Sequence, residues 1–310
     1  MNHLPLGPGR EFDRVRAIAA ALGPQAASLG DDCAVIPVER GFLALSTDVS
    51  VEGVHFRRGW LTPAEIGWRA AAAALSDLAA EGAAADGILV ALTVPANAGD
   101  GDVAEVMAGC GAAAASVGGM VWGGDLSAGP GWSIAVTSIG RVDRAVTRRG
   151  ATPGSSLWVT GALGGARAAL DAWLAGREPD AATRPRFAHP EPRVSAGRWL
   201  AAHGALAMLD LSDGLATDLP HLAAASGSAA TVTLDAIPLA LGVTDRRLAA
   251  EGGEDYELLA ALPRGFDGAA ECHAATGVVL TRIGEVNAGS GVAFTLAGQP
   301  VTLQGFQHFR

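Results

Sequence analysis

Residues 62–80 read TPAEIGWRAAAAALSDLAA, and this stretch of the 310-residue chain indicates the class of fold. The threonine at its start is suited to cap a helix, Pro63 to occupy the first helical position, and Glu65 to complete a capping box. We therefore predict a helix from Pro63 to about Ala80. Its alanine-rich face can pack closely against a sheet, and Asp77 lies in its later turns.

Strands and helices are predicted to alternate on both sides of this helix, which makes the chain an α/β protein. The turn-forming stretch 148–154 separates two such alternations, so we expect two domains, residues 1–147 and residues 148–310. The predicted strands are Ala34–Pro37, Phe42–Thr47, Gly87–Val94, Met120–Trp122, Trp132–Val142, Ser156–Thr160, Ala207–Leu211, Thr231–Leu234, Tyr256–Leu262 and Val278–Val286. Further helices are expected to end near Leu22, Val117, Ala175, His203 and Ala225.

The charge composition excludes several classes of function. The formal net charge is −10 and the isoelectric point about 5.1, whereas nucleic acids and anionic membranes attract basic surfaces, so we expect neither as a partner. All 22 basic residues are Arg, and the chain contains no Lys. A P-loop of the GxxxxGK[ST] type, the strand lysine of protein kinases and Schiff-base catalysis are therefore excluded. Any phosphate chemistry must use metal ions, Arg and backbone amides.

The cysteines and the N-terminal residues predict a cytoplasmic protein. Cys33, Cys110 and Cys272 are scattered and lack the CxxC spacing of metal or redox sites, which suits a reducing compartment. Residues 1–16 contain early acidic side chains and no apolar segment of the signal-peptide type. The uncharged stretch 106–124 is too rich in glycine to predict a membrane span. We therefore expect no association with a membrane.

Acidic residues follow apolar runs in both halves of the sequence, as Asp48 and Asp210 do. A single Asp beside Gly or Ser is typical of a turn or a helix cap, but ligands of α/β folds bind at strand ends, where several such residues would converge. Converging carboxylates repel one another unless cations neutralise them, and hard oxygen ligands favour Mg²⁺. The motifs are Gly30-Asp31-Asp32, Ser46-Thr47-Asp48, Leu75-Ser76-Asp77, Gly123-Gly124-Asp125, Asp210-Leu211-Ser212-Asp213 and Gly253-Glu254-Asp255.

These motifs, in this order, resemble those of the thiamine-monophosphate kinase family, and the resemblance spans nearly the whole chain. It also rests on His55-Phe56 and on Thr147-Arg148-Arg149-Gly150-Ala151. The resemblance implies the two-domain PurM-like fold of the aminoimidazole-ribotide-synthetase superfamily, with a homodimer formed through the N-terminal sheet. It also implies ATP and thiamine monophosphate as substrates, thiamine diphosphate as product, and several Mg²⁺ ions, with K⁺ as a further candidate.

The same resemblance implies roles for individual residues. Phosphoryl transfer would depend on Asp48, Asp77, Asp125 and Arg148. The metal ligands would be Asp32, Ser46, Thr47, Asp48, Asp77, Asp125, Asp210 and Asp213. The nucleotide would contact Gly124, Asp125, Arg148 and Ser212, and the thiamine end would contact His55, Glu254 and Phe306. Because the acceptor phosphate, with a second pKa of about 6, is already largely ionised near neutral pH, we expect in-line transfer without an obligatory general base.

Two alternatives stay open at this point. The first is another ATP-dependent enzyme of the superfamily, which would share the acidic site but use a different acceptor. Two such enzymes are disfavoured: residues 1–29 lack the Cys and Lys expected of selenophosphate synthetase, and the chain does not end in the Cys of a hydrogenase-maturation relative. A non-catalytic regulator that binds nucleotide or thiamine phosphate would keep the fold, but it has little use for so many acids that are costly to bury. Turnover separates these alternatives.

Some residues depart from the family pattern or carry weaker signals. Leu126-Ser127 stands where the family often has two Thr, and His189 replaces the first Arg of an Arg-Pro-x-Pro-Arg stretch. Phe306 stands where the family commonly has an aromatic side chain that carries a hydroxyl group. The Gly161–Gly165 segment precedes a helix and could contact phosphate, although it lacks GxGxxG spacing. Cys33 is expected to be a buried small residue and not a nucleophile.

Overall fold

The structure, a computed structural model, describes residues 4–27 and 29–306. The helices are α1 (Arg10–Leu22), α2 (Pro63–Ala80), α3 (Asp100–Ser116), α4 (Gly165–Leu174), α5 (Arg184–Ala188), α6 (Val194–Ala202), α7 (Leu215–Ser226), α8 (Arg246–Glu251) and α9 (Ala269–Thr276). The strands are β1 (Ala34–Pro37), β2 (Phe42–Val51), β3 (Ala84–Pro95), β4 (Met120–Gly129), β5 (Ser133–Val142), β6 (Ser156–Thr160), β7 (Ala207–Asp210), β8 (Ala229–Thr233), β9 (Leu258–Leu262), β10 (Leu280–Asn287), β11 (Gly291–Leu296) and β12 (Gln299–Val301). Within the described residues, no helix combines the length and the apolar character that crossing a membrane requires.

Strands β1 to β5 form a five-stranded sheet in the order β1-β2-β5-β3-β4. Its neighbouring strands are antiparallel except β3 and β4, which are parallel. Ile88, Val90 and Val136 on one face are buried in a core with α2 and α3. On the opposite face, Leu89 is 41% exposed. Helices therefore cover one face of this sheet and leave the other open.

Strands β6 to β12 form a seven-stranded mixed sheet in the order β12-β11-β8-β10-β6-β9-β7. Every residue of β6, β7 and β9 is buried. Leu157 and Leu209 pack in one core with α7, while Trp158 and Met208 pack in another core with α6. This part of the sheet is covered on both faces, which explains why the interiors of its strands are apolar.

Helix α2 has the bounds that its sequence predicts, and the predicted capping box is present. Thr62 Oγ1 accepts a hydrogen bond from the Glu65 amide at 3.3 Å, and Glu65 Oε2 accepts one from the Thr62 amide at 2.9 Å. Helix α3 approaches α2 closely at two glycines. A Cβ atom on Gly67 would lie 1.8 Å from the Val106 carbonyl oxygen, and one on Gly109 would lie 1.9 Å from a carbonyl oxygen of α2. Any larger residue would force the two helices apart.

Helix α2 also joins the two halves of the molecule. It contacts β2 and β5 of the first sheet and β7 of the second. Its Ala79 and Ala80 share a core with Leu200 of α6. Helix α6 approaches through Gly197, where a Cβ atom would lie 2.0 Å from the Ala79 carbonyl oxygen. The later turns of α2, which carry Asp77, therefore lie where the two halves meet.

Two strands extend beyond their predicted ends, which moves site residues into strand interiors. Strand β2 continues to Val51, so Asp48 lies within it and not after its end, and β4 continues to Gly129, so Gly124 and Asp125 also lie within a strand. The predicted ends were wrong because partner strands continue the ladder past these polar residues. The β11–β12 hairpin was not predicted, because the glycines and polar residues of 288–301 weaken the strand pattern.

Candidate active site

Three carboxylates meet where the two halves of the molecule touch. Asp32 precedes β1, Asp77 lies in α2 and Asp210 ends β7, and one oxygen of each lies within 4.8 Å of the others. Ser46 of β2 donates a hydrogen bond to Asp77. Asp48 lies two residues further along the same face of β2 and lines a cavity with Asp77 and Asp210. The structure therefore brings together these five of the predicted site residues.

The charges of this cluster are poorly balanced by the protein itself. Burial, followed by the charge of Asp32, raises the pKa of Asp210 to about 8. Burial, followed by the charge of Glu254, raises the pKa of Asp48 to about 6. Burial, with the charges of Asp48 and Asp210, raises the pKa of Asp77 well above its usual value. Without bound cations the cluster therefore retains protons near neutral pH.

The donor atoms of the cavity are oxygens of the kind that Mg²⁺ prefers. Asp213, which precedes α7, lines the cavity together with the acids of β2, α2 and β7. Asp77 and Asp210 form no ion pair with any residue in 4–27 or 29–306. Hard oxygen donors with unbalanced negative charge fit Mg²⁺ better than metals that prefer nitrogen or sulfur.

Arg148 supplies positive charge at one side of the cluster. Its guanidinium donates to both carboxylate oxygens of Asp32, at 2.6 and 3.2 Å, and its backbone amide donates to Asp31 at 3.1 Å. Asp31, Asp32 and the fully buried Glu81 form a second group of carboxylates whose oxygens lie within 4.8 Å of one another. An anionic ligand such as a phosphate would compete with Asp32 for the Arg148 guanidinium.

An apolar cavity of about 230 Å³ opens beside the acidic cavity, whose volume is about 180 Å³. The two cavities share four lining residues, His55, Ser212, Asp213 and Glu254. The apolar cavity is also lined by aromatic and aliphatic side chains, which are Phe56, Trp60, Leu170, Leu174, Phe187 and Phe306. A single ligand can therefore place a ring system among the apolar side chains and an anionic group beside the acids.

Glu254, on the boundary of the two cavities, has an unusual backbone conformation. Its φ is 71° and that of Tyr256 is 51°, a left-handed region that costs a residue other than glycine about 1 kcal/mol or more. The Glu254 amide donates to the Ser212 carbonyl at 2.7 Å, and the Tyr256 amide donates to the Leu211 carbonyl at 3.0 Å. The Tyr256 hydroxyl donates to Glu254 Oε2 at 2.7 Å. These bonds hold Glu254 against the loop that carries Ser212 and Asp213.

Three predicted site residues do not join the carboxylate cluster within one chain. Thr47 points to the opposite face of β2 from the acids, and its Oγ1 lies 2.9 Å from that of Thr137. Gly124 and Asp125 lie in β4, three strands from β2, a separation of about 14 Å at usual strand spacing. Asp125 accepts a hydrogen bond from Ser127 at 3.2 Å. Side-chain alternation displaces Thr47, and the edge position of β4 displaces the other two.

The glycine-rich loop before α4 is occupied by a carboxylate of the protein. Asp255 accepts hydrogen bonds from the amides of Gly164 at 2.7 Å and Ala166 at 3.4 Å. The structure therefore gives no support to a phosphate contact at Gly161–Gly165. Cys33 is buried, and burial raises the pKa of its thiol well above its usual value, which fits a packing residue and not a nucleophile.

Several residues that shape the site were missed from the sequence. Arg69 of α2 is 3% exposed, and its position in an alanine-rich run was a usable signal, because a buried Arg requires a partner. Tyr256 is the single Tyr of the chain, but nothing in the sequence connects it with the Glu254 side chain. Trp60 stacks on Trp173 with ring centroids 5.4 Å apart, a contact between distant segments that no local pattern predicts.

The chain matches two family models in succession. Residues 30–142 match the AIR synthase related protein, N-terminal domain, and residues 152–297 match the AIR synthase related protein, C-terminal domain. With its two sheets and the acidic cavity where they meet, the chain is a two-domain AIR synthase related protein of PurM-like α/β fold.

More specific similarity extends along most of the chain. It is 39% identical over 251 residues to the thiamine-monophosphate kinase of Mycobacterium tuberculosis, covering 77% of this chain and 74% of that protein. It is 37% identical over 320 residues to the thiamine-monophosphate kinase of Salmonella typhimurium, covering 97% and 96%. The solved structure of AaThiL complexed with AMPPCP and TMP is similar with a TM-score of 0.86 at 31% identity, covering 97% of both chains. The chain therefore belongs to the thiamine-monophosphate kinase family.

Proposed function

We propose that this protein transfers the γ-phosphoryl group of ATP to thiamine monophosphate, giving ADP and thiamine diphosphate. The observation that carries the proposal is the junction of an acidic cavity with an apolar one at His55 and Glu254. The acidic side suits phosphates neutralised by cations, and the apolar side suits an aromatic ring system. The named relatives support the same reaction, since they are thiamine-monophosphate kinases and AaThiL was solved with AMPPCP and TMP.

The proposed mechanism assigns a step to each part of the site. Several Mg²⁺ ions, when bound, would neutralise the phosphates and align an in-line transfer, and the residues that fit as ligands are Asp32, Ser46, Asp48, Asp77, Asp210 and Asp213. Arg148 leaves Asp32 and binds a phosphate oxygen through its planar fork of donors. Glu254, His55 and Phe306 orient the acceptor, and Ser212 contacts the nucleotide. No side chain has to take a proton, because the acceptor phosphate, with a second pKa of about 6, is already largely ionised.

A homodimer packed through the open face of the first sheet is part of the proposal. Exposed apolar side chains occur on this sheet and its β4 edge, among them Leu89 and Trp122, which are 41% and 53% exposed. Large apolar side chains left exposed on an uncovered sheet face are typical of an interaction site. Within one chain, Thr47 in β2 and the pair Gly124 and Asp125 in β4 are kept about 14 Å apart. In such a dimer, Gly124 and Asp125 of one copy can complete the nucleotide site beside Thr47 of the other copy.

Turnover of the purified protein with ATP, thiamine monophosphate and Mg²⁺ tests the activity. We expect ADP and thiamine diphosphate in equal amounts, and loss of turnover when Mg²⁺ is chelated. Omission of K⁺ from the same assay tests the predicted further cation. Binding of both substrates without ADP formation would instead support a non-catalytic binder. Turnover with a different acceptor alone would support another enzyme of the superfamily.

Complementation tests the shared site. Asp77→Asn and Asp125→Asn are each expected to be inactive as homodimers. In a heterodimer of the two, one site would carry both substitutions and the other neither. Random co-assembly therefore predicts about a quarter of wild-type activity. Absence of any recovery in verified heterodimers would show that Asp125 does not act across the interface.

A further inference from the structure

Arg69 is the buried cation behind the apolar cavity. It lies in α2, and its side chain is 4% exposed. One guanidinium nitrogen lies 2.5 Å from Glu254 Oε2, and another donates to the Phe187 carbonyl oxygen at 2.9 Å. The guanidinium carbon lies 3.7 Å from the centre of the Phe187 ring. An ion pair, a hydrogen bond and a stacking contact therefore fix the orientation of this side chain.

The partner of Arg69 is a carboxylate that a ligand can reach. The Glu254 side chain is 25% exposed and lines both the acidic and the apolar cavity. The contacts from Arg69 and from the Tyr256 hydroxyl both go to Oε2, so no residue in 4–27 or 29–306 hydrogen-bonds to Oε1. One oxygen of Glu254 is thus fixed by the protein, and the other is left for a ligand.

A second buried ion pair shows what a purely structural arrangement looks like in this protein. Arg193 donates to both oxygens of Glu257, each at 2.7 Å, and the Glu257 side chain is 0% exposed. Arg186 and the Thr160 hydroxyl bind the same carboxylate, so both of its oxygens are used within the chain. Glu257 lines neither cavity of the site. Arg69 differs because it binds one oxygen of a carboxylate that faces a ligand cavity.

We propose that Arg69 is a positioning residue, which holds Glu254 in its left-handed backbone position and aims Oε1 at the acceptor substrate. The proposal rests on the proposed kinase function and deepens it. Tyr256 shares the task, but its neutral hydroxyl does not balance the Glu254 charge. Without Arg69 the carboxylate can turn toward water or toward Asp48, and the strained segment loses the side-chain contact that favours it.

The proposal predicts an effect on one substrate only. A hydrogen bond to a charged group contributes about 1.5–3 kcal/mol, which is about a 10- to 100-fold change in affinity. Glu254 would contact the acceptor both before and during the transfer, so its loss would raise KM with little change in kcat. The ATP side of the site uses other residues. We therefore expect Arg69→Met to raise KM for thiamine monophosphate about 30-fold and to leave KM for ATP within about 2-fold.

Steady-state kinetics for each substrate, combined with calorimetric binding of thiamine monophosphate, tests the proposal. Arg193→Met is the matched control, since it removes a buried Arg whose partner faces no cavity. The control is expected to lower the unfolding temperature without a selective change in either KM. Arg69→Lys keeps the charge but loses the fork, and we expect a rise of about 5-fold in the acceptor KM. If Arg69→Met does not fold, a wild-type acceptor KM in Arg69→Lys overturns the proposal.

A double-substitution cycle separates positioning from general stability. If Arg69 acts through Glu254, adding Arg69→Met to Glu254→Gln should raise the acceptor KM by less than about 2-fold further. Independent, multiplicative effects would overturn the proposal, and so would equal changes in both KM values. Wild-type protein that forms no ADP would contradict the proposed function. Wild-type turnover with an unchanged acceptor KM in both Arg69 variants would contradict this inference alone.

Discussion

Carboxylates at two places in this molecule, Glu257 in one and Asp77 with Asp210 in the other, behave in opposite ways. Burial alone would raise the pKa of Glu257, but hydrogen bonds from Arg193 outweigh it and lower that pKa below its usual value. Asp210 is buried and Asp77 is part-buried, neither forms an ion pair with an Arg among the described residues, and the pKa values of both are raised. The difference indicates the purpose of each acid. A carboxylate balanced within the chain stabilises the fold, whereas an unbalanced one is available to cations from outside, as the proposed mechanism requires.

The largest expected effect is the loss of turnover in Asp77→Asn. The substitution keeps the shape of the side chain and removes a proposed metal ligand, so we expect kcat/KM to fall by at least ~1000-fold, or about 4 kcal/mol. The free energy of unfolding of the metal-free protein should stay within about 1 kcal/mol or rise, because a buried repulsion is removed. Kinetics and urea unfolding measure the two effects. A large loss of folding stability would place Asp77 with Glu257 as a structural acid.

The reverse pattern is expected for Glu257→Gln. This change leaves Arg193 and Arg186 without their carboxylate, so the free energy of unfolding should fall by about 3 kcal/mol. Turnover per folded molecule should change little, because Glu257 lines neither cavity. Glu191→Gln is the control, since Glu191 pairs with the same Arg193 but is 68% exposed and should cost less than about 1 kcal/mol. If urea unfolding shows that Glu257→Gln and Glu191→Gln lower the free energy of unfolding equally, Glu257 is not the stabilising acid that we describe.

Opposite pH dependences are expected from the two groups. The folded pKa of Asp210 is raised from 3.8 to about 8, so its contribution to metal-free stability is fully present below the unfolded pKa and is lost as pH rises toward 8. Bound Mg²⁺ or the substitution Asp210→Asn should flatten this loss. Glu257 has a lowered pKa, so its contribution is lost as pH falls below 4.5. Urea unfolding from pH 3 to 9, in EDTA or in Mg²⁺, measures how the free energy of unfolding depends on pH for both groups. A metal-free stability that does not change with pH above pH 5 would contradict the expectation for Asp210.

The smallest expected effect is that of Arg193→Lys, which distinguishes the contribution of charge from that of hydrogen-bond geometry in the ion pair with Glu257. Arg193→Lys keeps the positive charge beside Glu257 but replaces two parallel hydrogen bonds by one. We expect the free energy of unfolding to fall by about 1 kcal/mol and both KM values to stay unchanged. Thermal unfolding and kinetics of this single variant are sufficient. A loss as large as that of Glu257→Gln would mean that fork geometry, more than charge, stabilises this group.

Local patterns predict much of the fold. The bounds of α2 follow from its own cap and composition, and the buried strands β6, β7 and β9 follow from continuous apolar runs. The full lengths of β2 and β4 could not be predicted, because partners across the sheet extend both strands past residues that look like strand ends.

The candidate site was predictable where its residues carry motifs and not where they act through distant partners. Asp32, Asp77 and Asp210 meet as their motifs suggest. Arg69 and Glu254 belong to separate segments, and only the folded chain shows that they form one ion pair. A motif also does not show on which face of a strand each residue lies.

Strand β2 illustrates that last point, because Ser46 and Asp48 serve the acidic cavity while Thr47 between them serves the open face. Substitution at one position therefore affects one surface at a time. Insertion or deletion of a single residue would exchange the two faces, moving acids to the outer surface and apolar side chains to the cavity. In the divergence of this chain from its relatives, β2 is expected to accept changes of residue but no change of length.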